Sequence, residues 1–282
     1  MRNPMNQKAI RVELCKPFAQ GIVFWTKNFR PFMKHVDALV EMGLPFTVQY
    51  TINGYSPHLE HNVVDWEKSV ETVHSLANRF GKRCVVWRYD TIIFSAETPI
   101  EFHLANFEQI AKHLEGATDE VVISFLQVYR KTRLNMDSMA KEFSNPWWEP
   151  SVDVKRDLAR KLYEIAKIYG MNLTICSQPD LITIQEPSRC IDSERLANVA
   201  GYPVVAKTLG NRPGCECAAS RDIGDYDTCP HGCVYCYAVR SNSLAIKRFQ
   251  LHNPDSEYLF DRELKDTSLG IQGKSDQESF NF

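Results

Sequence analysis

Two rhythms of apolar residues alternate along the first 178 positions. Gly21 to Lys27 (GIVFWTK) is a short β-branched and aromatic run, which predicts a buried strand. A helical stripe follows: Pro31 opens it, Phe32, Met33, Val36, Leu39 and Val40 share a face, and Gly43 closes it. Phe46 to Ile52 is the next strand. Asp65 is placed to cap a helix whose Trp66, Val70, Val73, Ala77 and Phe80 fall on one side, ending at Gly81. Cys84 to Phe94 holds a third strand. Thr98, Pro99 and Glu101 then make a capping box before a helix that runs to Glu115 and stops at Gly116. Glu120 to Val128 is a fourth strand. A helix from about Val152 to Tyr169 carries Leu158, Leu162, Ile165 and Tyr169 in register, and Asn172 to Cys176 is a fifth strand.

Strand and helix in turn, with apolar strands, imply parallel pairing through right-handed crossovers. The expected fold class is α/β: a partial (β/α) barrel of parallel strands, with an open α/β sheet fitting the same pattern. Both bind ligands at the carboxyl ends of the strands. That predicts one rim: Thr26, Lys27 and Asn28; Asn53 and Tyr55; Arg88 and Asp90; Tyr129, Arg130 and Lys131; Cys176, Ser177 and Gln178. Residues 130–150 read as a connection of about 20 residues, anchored by Trp147 and Trp148. Beyond Ser188 the chain turns rich in Gly, Pro, Asp and Cys, apart from a short helix near Glu194–Ala200. The expected division is a βα-repeat domain over 1–187, a cysteine-rich segment over 188–260 and a polar, mobile tail over 261–282.

Composition narrows the function classes. With 33 Lys+Arg against 35 Asp+Glu the chain is nearly neutral, which excludes a globally basic nucleic-acid coat. No apolar run approaches the ~18 residues of a membrane span, and the polar start lacks the apolar centre of a signal peptide. The expectation is a soluble cytoplasmic protein with no membrane partner. There is no glycine-rich phosphate loop, no Gly-x-Ser-x-Gly and no His-Glu-x-x-His, so hydrolase and kinase readings have no support. Nine cysteines in a reducing compartment leave metal binding, catalysis or burial as their uses.

Five of those nine lie between positions 215 and 236. Cys229-Pro-His-Gly-Cys233-Val-Tyr-Cys236 has the spacing C-x3-C-x2-C. Three thiolates so spaced on a tight loop can each take one corner of a [4Fe–4S] cluster and leave one iron open for a small molecule with an amine and a carboxylate. This spacing resembles that of radical S-adenosylmethionine (SAM) enzymes, and Tyr235 stands where that family has an aromatic near the adenine. The resemblance implies a cluster that reductively cleaves SAM to a 5′-deoxyadenosyl radical, fed by an electron donor such as flavodoxin or ferredoxin. In most such enzymes the motif follows the first barrel strand; here it lies near the C-terminus. Taken with FWTKN, WRYD, SFLQVYRKT and RDIGDYDTCPHGCVYCYA, the chain resembles the domain of unknown function 1848 family over roughly residues 1–250. That resemblance implies a C-terminal cluster like that of radical SAM enzymes. It also implies a further strand upstream of Arg2–Pro4, whose absence bears on barrel closure and activity.

Cys176, Cys190, Cys215 and Cys217 are the right number for a second cluster or a structural zinc; buried thiols are the plainer reading of Cys176 and Cys190. Cys15 and Cys84 read as structural. His231 reads as a loop residue near the cluster, and His58 and His61 as a weak pair. Lys27, Arg88 and Asp90 are candidates to hold SAM or substrate, with a structural ion pair as the alternative. Arg130, Lys131 and Arg133 fit either a phosphate or nucleic-acid substrate or a solvated loop. The rival to an enzyme is a zinc- or iron–sulfur-stapled binding module for nucleic acid or a small ligand. The substrate and the oligomeric state are not legible. On the enzyme reading, Cys229, Cys233 and Cys236 should converge within a few ångströms and face the strands' carboxyl ends.

Overall fold

The computed structural model describes residues 10–210 and 214–259; the expectations for Arg2–Pro4 and for 261–282 lie outside them. In chain order the elements are β1 (Ile22–Thr26), α1 (Val36–Glu41), β2 (Phe46–Thr51), α2 (Trp66–Phe80), β3 (Val85–Ile92), β4 (Phe94–Ser95), α3 (Ile100–Leu114) and β5 (Glu120–Phe125). There follow α4 (Arg130–Glu142), β6 (Trp147–Trp148), α5 (Val152–Ile168), β7 (Asn172–Ile175), β8 (Glu186–Pro187), α6 (Ser193–Ala200) and α7 (Asn242–Gln250).

Six strands form one parallel sheet in the order β1-β2-β3-β5-β7-β8. Each strand lies beside its predecessor, so the strand order never reverses. The sheet is open, with β1 and β8 at its edges; β4 and β6 pair separately as a two-residue antiparallel ribbon. Sequential parallel order brings all the carboxyl ends to one edge, which is where connecting loops can assemble a site.

The strands alternate, rather than being apolar throughout as expected. Val48, Tyr50, Val85, Trp87, Tyr89, Val121, Ile123, Leu173 and Ile175 join the core with Val73 and Leu76 of α2, Phe107 and Ile110 of α3, and Leu158 and Leu162 of α5. Between them stand Gln49, Val86, Arg88, Val122 and Thr174. Val86 and Val122 belong to a second, smaller cluster with Cys176, Cys190 and Cys217. Period-two alternation thus gives one face to the helices and the other to polar side chains and thiols.

Several local expectations give way. The first helix is shorter than its stripe, because residues Arg30–His35 form a 3-10 turn before α1. Asp65 precedes α2, but its carboxylate takes the Lys68 ammonium at 3.0 Å and caps nothing. The capping box at Thr98 is absent: the Thr98 hydroxyl turns inward and donates to the Ile93 carbonyl at 2.7 Å. Ser151 and Asp192 do cap, accepting from Val154 N at 3.4 Å and from Glu194 N at 2.9 Å. The long connection over 130–150 contains α4 and β6. Met136 and Met139 are buried on α4, and Trp147 pairs with Ser95.

Phe107 is fully buried and lies 4.6 Å from Trp87 and 5.3 Å from Tyr89, ring centre to ring centre, locking α3 onto β3. Phe107→Ala should cost about 3–5 kcal/mol of unfolding free energy in urea titrations. A loss below about 1 kcal/mol, the size of an ordinary surface change, would contradict this packing.

Candidate functional site

The cysteine-rich segment packs on the carboxyl ends of β1 and β2. Cys233 pairs with Glu60 in an antiparallel bridge, and Val234 N donates to Leu59 O at 3.1 Å. Further out, Asn62 N donates to His231 O at 2.9 Å and Asn62 Nδ2 to Pro230 O at 3.0 Å. The backbone of 230–234 therefore lies along residues 59–62. Cys236 N donates back to Cys233 O at 3.1 Å, which turns the loop so that both thiols rise from one bend. Gly232 permits the path: its φ is +68°, and a Cβ there would stand 2.9 Å from Asn242 Nδ2. Buried Asp227 closes the base of the loop, accepting from Arg240 N and, at 2.8 Å, from Arg240 Nε. Lys131 donates to Val239 O and Tyr237 O from the α4 side. Its ammonium is thereby committed to the fold, and Arg133 lies over the Trp147 ring at 5.6 Å. Two members of the predicted basic group thus have intramolecular roles.

Under this loop lies a buried polar network. Lys27 Nζ, just past β1, donates to Glu60 Oε1 at 2.8 Å, with side-chain exposures of 13% and 2%. Asn53 Nδ2, just past β2, donates to the same oxygen at 2.8 Å, and the Tyr235 hydroxyl donates to it as well. Lys27 Nζ lies 5.7 Å from the centre of the Tyr235 ring. Asn53 Oδ1 accepts from Asp90 N at 2.9 Å, where β3 slips register against β5. Asp90 in turn takes Arg88 Nε at 2.9 Å and the Ser124 hydroxyl. Arg88 reaches on to Gln49 Oε1 at 3.1 Å and Cys190 Sγ at 3.0 Å. Lys27, Arg88 and Asp90 therefore belong to one connected chain of charges.

The electrostatics follow from burial against pairing. Burial pulls Lys27 down, but the charges of Glu60 and Cys233 pull harder and leave its ammonium above its ordinary pKa. Burial pushes Glu60 up, and the Lys27 charge with the hydrogen bonds from Lys27, Tyr235 and Asn53 more than offsets that, so the carboxyl lies below its usual range. Asp90 is likewise held low by Arg88 and Ser124 against the effect of burial. Burial raises the Cys233 thiol to about 12; Lys27 draws it back while Glu60, Cys236 and Cys229 add to the rise. The three thiols thus lie within electrostatic reach of one another, Cys229 and Cys233 also of Lys27, and Cys236 of Lys131. Among the described residues, no three His, Cys, Asp or Glu side chains are arranged as they stand to hold a metal ion.

The other predicted cysteines gather elsewhere, at the far side of Arg88. Cys176 Sγ lies 3.6 Å from Cys190 Sγ, and Cys217 hydrogen-bonds Cys190 and Cys215. Cys84 is buried with its thiol 3.8 Å from Phe46 O, and Cys15 is exposed. His231 Nδ1 stands 3.2 Å from Asn62 O, and His58 pairs with Glu97 at 2.7 Å. Gln178 bridges β5 to the loop after β7, exchanging two hydrogen bonds with the Phe125 backbone. Tyr129–Lys131 lie at the start of α4, past the end of β5. Sequence reasoning missed Glu60, Ser124 and Asp227. Glu60 sits in a polar loop with no periodicity; its one signal was its place after the second strand.

An α/β protein with a charged rim network under a cysteine loop is the class these features define. The chain belongs to the family described as domain of unknown function DUF1848, which matches residues 1–238 and so takes in the cysteine loop. No curated protein matches the chain. Among the described residues no helix is long and apolar enough to cross a membrane.

The Lys27–Glu60 pair yields a test. Lys27→Met leaves a buried carboxylate without its counter-ion and should cost about 3–5 kcal/mol at pH 7, whereas Lys27→Met/Glu60→Leu should recover much of it. Glu60 has a lowered pKa in the fold, so its contribution is complete above the unfolded value of about 4.3 and is lost as pH falls through the folded value. The gap between wild type and Lys27→Met should therefore close in acid. A gap independent of pH, or additive single-site effects, would contradict the pairing.

Proposed function

We propose that the chain is an iron–sulfur enzyme of the radical SAM type. The observation that carries this reading is the C-x3-C-x2-C loop hydrogen-bonded along residues 59–62 above a buried, charged rim. Its donor set fits the group in kind: three thiols within electrostatic reach of one another and a lysine cation near Cys233, and three thiolates on a cubane would leave its fourth iron open. Cys229, Cys233 and Cys236 would hold a [4Fe–4S] cluster, and that group supplies one-electron reductive cleavage of SAM to methionine and a 5′-deoxyadenosyl radical when it is bound.

The chain's own residues have other tasks. Lys27 places a positive charge beside the thiolates and offsets part of their negative charge. Tyr235, held by Glu60 and Asn53, presents an aromatic ring next to the last thiol. Asp90 and Arg88 line the next strand end, where an amine, carboxylate or ribose could be bound. Radical chemistry requires water to be kept from the reacting atoms, and the loop over buried Asn53 and Glu60 would do so. On this reading the sequentially ordered sheet is the larger part of a (β/α) barrel, capped at its carboxyl end by the cysteine segment. The protein would work in the cytoplasm with flavodoxin or ferredoxin as electron donor, on a small molecule or nucleic acid.

Protein purified anaerobically should be brown, with about four irons and four sulfides at the loop. With dithionite it should convert SAM to 5′-deoxyadenosine, and Cys229→Ala, Cys233→Ala and Cys236→Ala should each abolish this in folded protein. Cleavage that survives any of these changes would refute the ligand assignment. Iron-free protein with zinc bound at the loop would favour a stapled binding module.

A further inference from the structure

Cys176, Cys190, Cys215 and Cys217 come from three separate chain segments yet meet at one place. Cys176 follows β7, Cys190 follows β8, and Cys215 and Cys217 lie on an extended stretch joined to Ile191 through Ala218 N, which donates to Ile191 O at 2.8 Å. Cys176, Cys190 and Cys217 are buried, and Cys215 packs against them. Burial alone does not account for what surrounds the sulfurs. Arg88 Nη1 donates to Cys190 Sγ at 3.0 Å, and the Ile191 amide donates to Cys217 Sγ at 3.4 Å. A buried guanidinium and a backbone amide aimed at sulfur are partners for thiolates. Few side chains anchor the segment leading to Cys215: Val204 is buried, but Val205 and Leu209 are 82% and 66% exposed, and backbone pairing of 207–209 with 217–219 does the rest.

The spacing says what kind of centre would fit. Two thiolates on one tetrahedral ion, each at about 2.3 Å, stand about 3.8 Å apart. Cys176 and Cys190 stand 3.6 Å apart, far beyond a disulfide bond of about 2.0 Å. In a [4Fe–4S] cluster each cysteine binds a different iron, which sets the thiolates further apart. No three donors among the described residues enclose a point as they stand, so loading requires side-chain rotation to close the quartet.

We infer that Cys176, Cys190, Cys215 and Cys217 form a closed four-thiolate site for a single tetrahedral ion, zinc, which staples the segment around 215–219 to the sheet face opposite the helices. Each thiol loses its proton to solvent as its sulfur–zinc bond forms. Four thiolates and Zn2+ carry two net negative charges, and Arg88 faces them from β3. With four protein ligands the site has no open position and is structural. The inference does not depend on a cluster at Cys229, Cys233 and Cys236.

Metal analysis of the full-length protein tests it. Wild type and the triple variant Cys229→Ala/Cys233→Ala/Cys236→Ala should both retain about one zinc per chain. Cys190→Ser and Cys215→Ser should lose it at least tenfold. Because Cys190→Ser removes a buried group, the wild type carries a second readout: stripped of zinc and loaded with cobalt, it should show the intense thiolate-to-metal and d–d bands of a tetrahedral four-sulfur site. Wild type without zinc and without those bands would overturn the inference. So would zinc retained in Cys215→Ser, iron and sulfide in place of zinc at the quartet, or a Cys176–Cys190 disulfide in the purified protein.

Discussion

The Lys27–Glu60 pair is the constraint on which the rim depends. Glu60 is buried and Lys27 largely so, and a carboxylate at that depth is not tolerable without its counter-ion. Pairing them fixes the end of β1 against the loop after β2. Glu60 then accepts from Asn53 and Tyr235, so one carboxylate ties two strand ends to the cysteine loop. The backbone of Glu60 adds the bridge to Cys233. A segment more than 160 residues further along the chain is thereby placed above the strand ends by one charge pair and its hydrogen bonds.

From that pair a polar chain crosses the sheet. It runs through Asn53 to Asp90, then through Arg88 to Cys190. Arg88 stands on the strand face that the helices do not cover, and so links the two groups of cysteines. A charge this deep is held only because Asp90, Gln49 and Cys190 all accept from it. The proposed cluster at the loop and the proposed zinc beyond Arg88 would sit at the two ends of this network, each with a buried cation beside its thiolates.

Much of the fold was legible because five strands and four of the helices carry strong periodicity. The strands β1, β2, β3, β5 and β7 all fall within the predicted runs. What failed was local chemistry overridden by packing. Thr98 had the spacing of a cap, but the buried Ile93 carbonyl offered its hydroxyl a better partner. Helix α4 was hidden because RKTRLNMDSMAKE has only three large apolar residues in thirteen, too few for a stripe. The two-residue β8 and the polar α7 carry no periodic signal either. The cysteine loop stood out in the sequence because its spacing is a local property, while its role as a ligand set is our proposal. Glu60 and Ser124 were not, because their importance arises from partners brought together only by the sheet.

The central claim is that the loop at the rim holds a cluster with one iron open to SAM. Electron paramagnetic resonance of the anaerobic, dithionite-reduced protein tests it most directly. The account predicts the signal of a reduced [4Fe–4S] cluster whose g values shift on adding SAM, with both the signal and the shift absent in Cys233→Ala. A cluster signal that SAM leaves unmoved, or one that persists in Cys233→Ala, would contradict it.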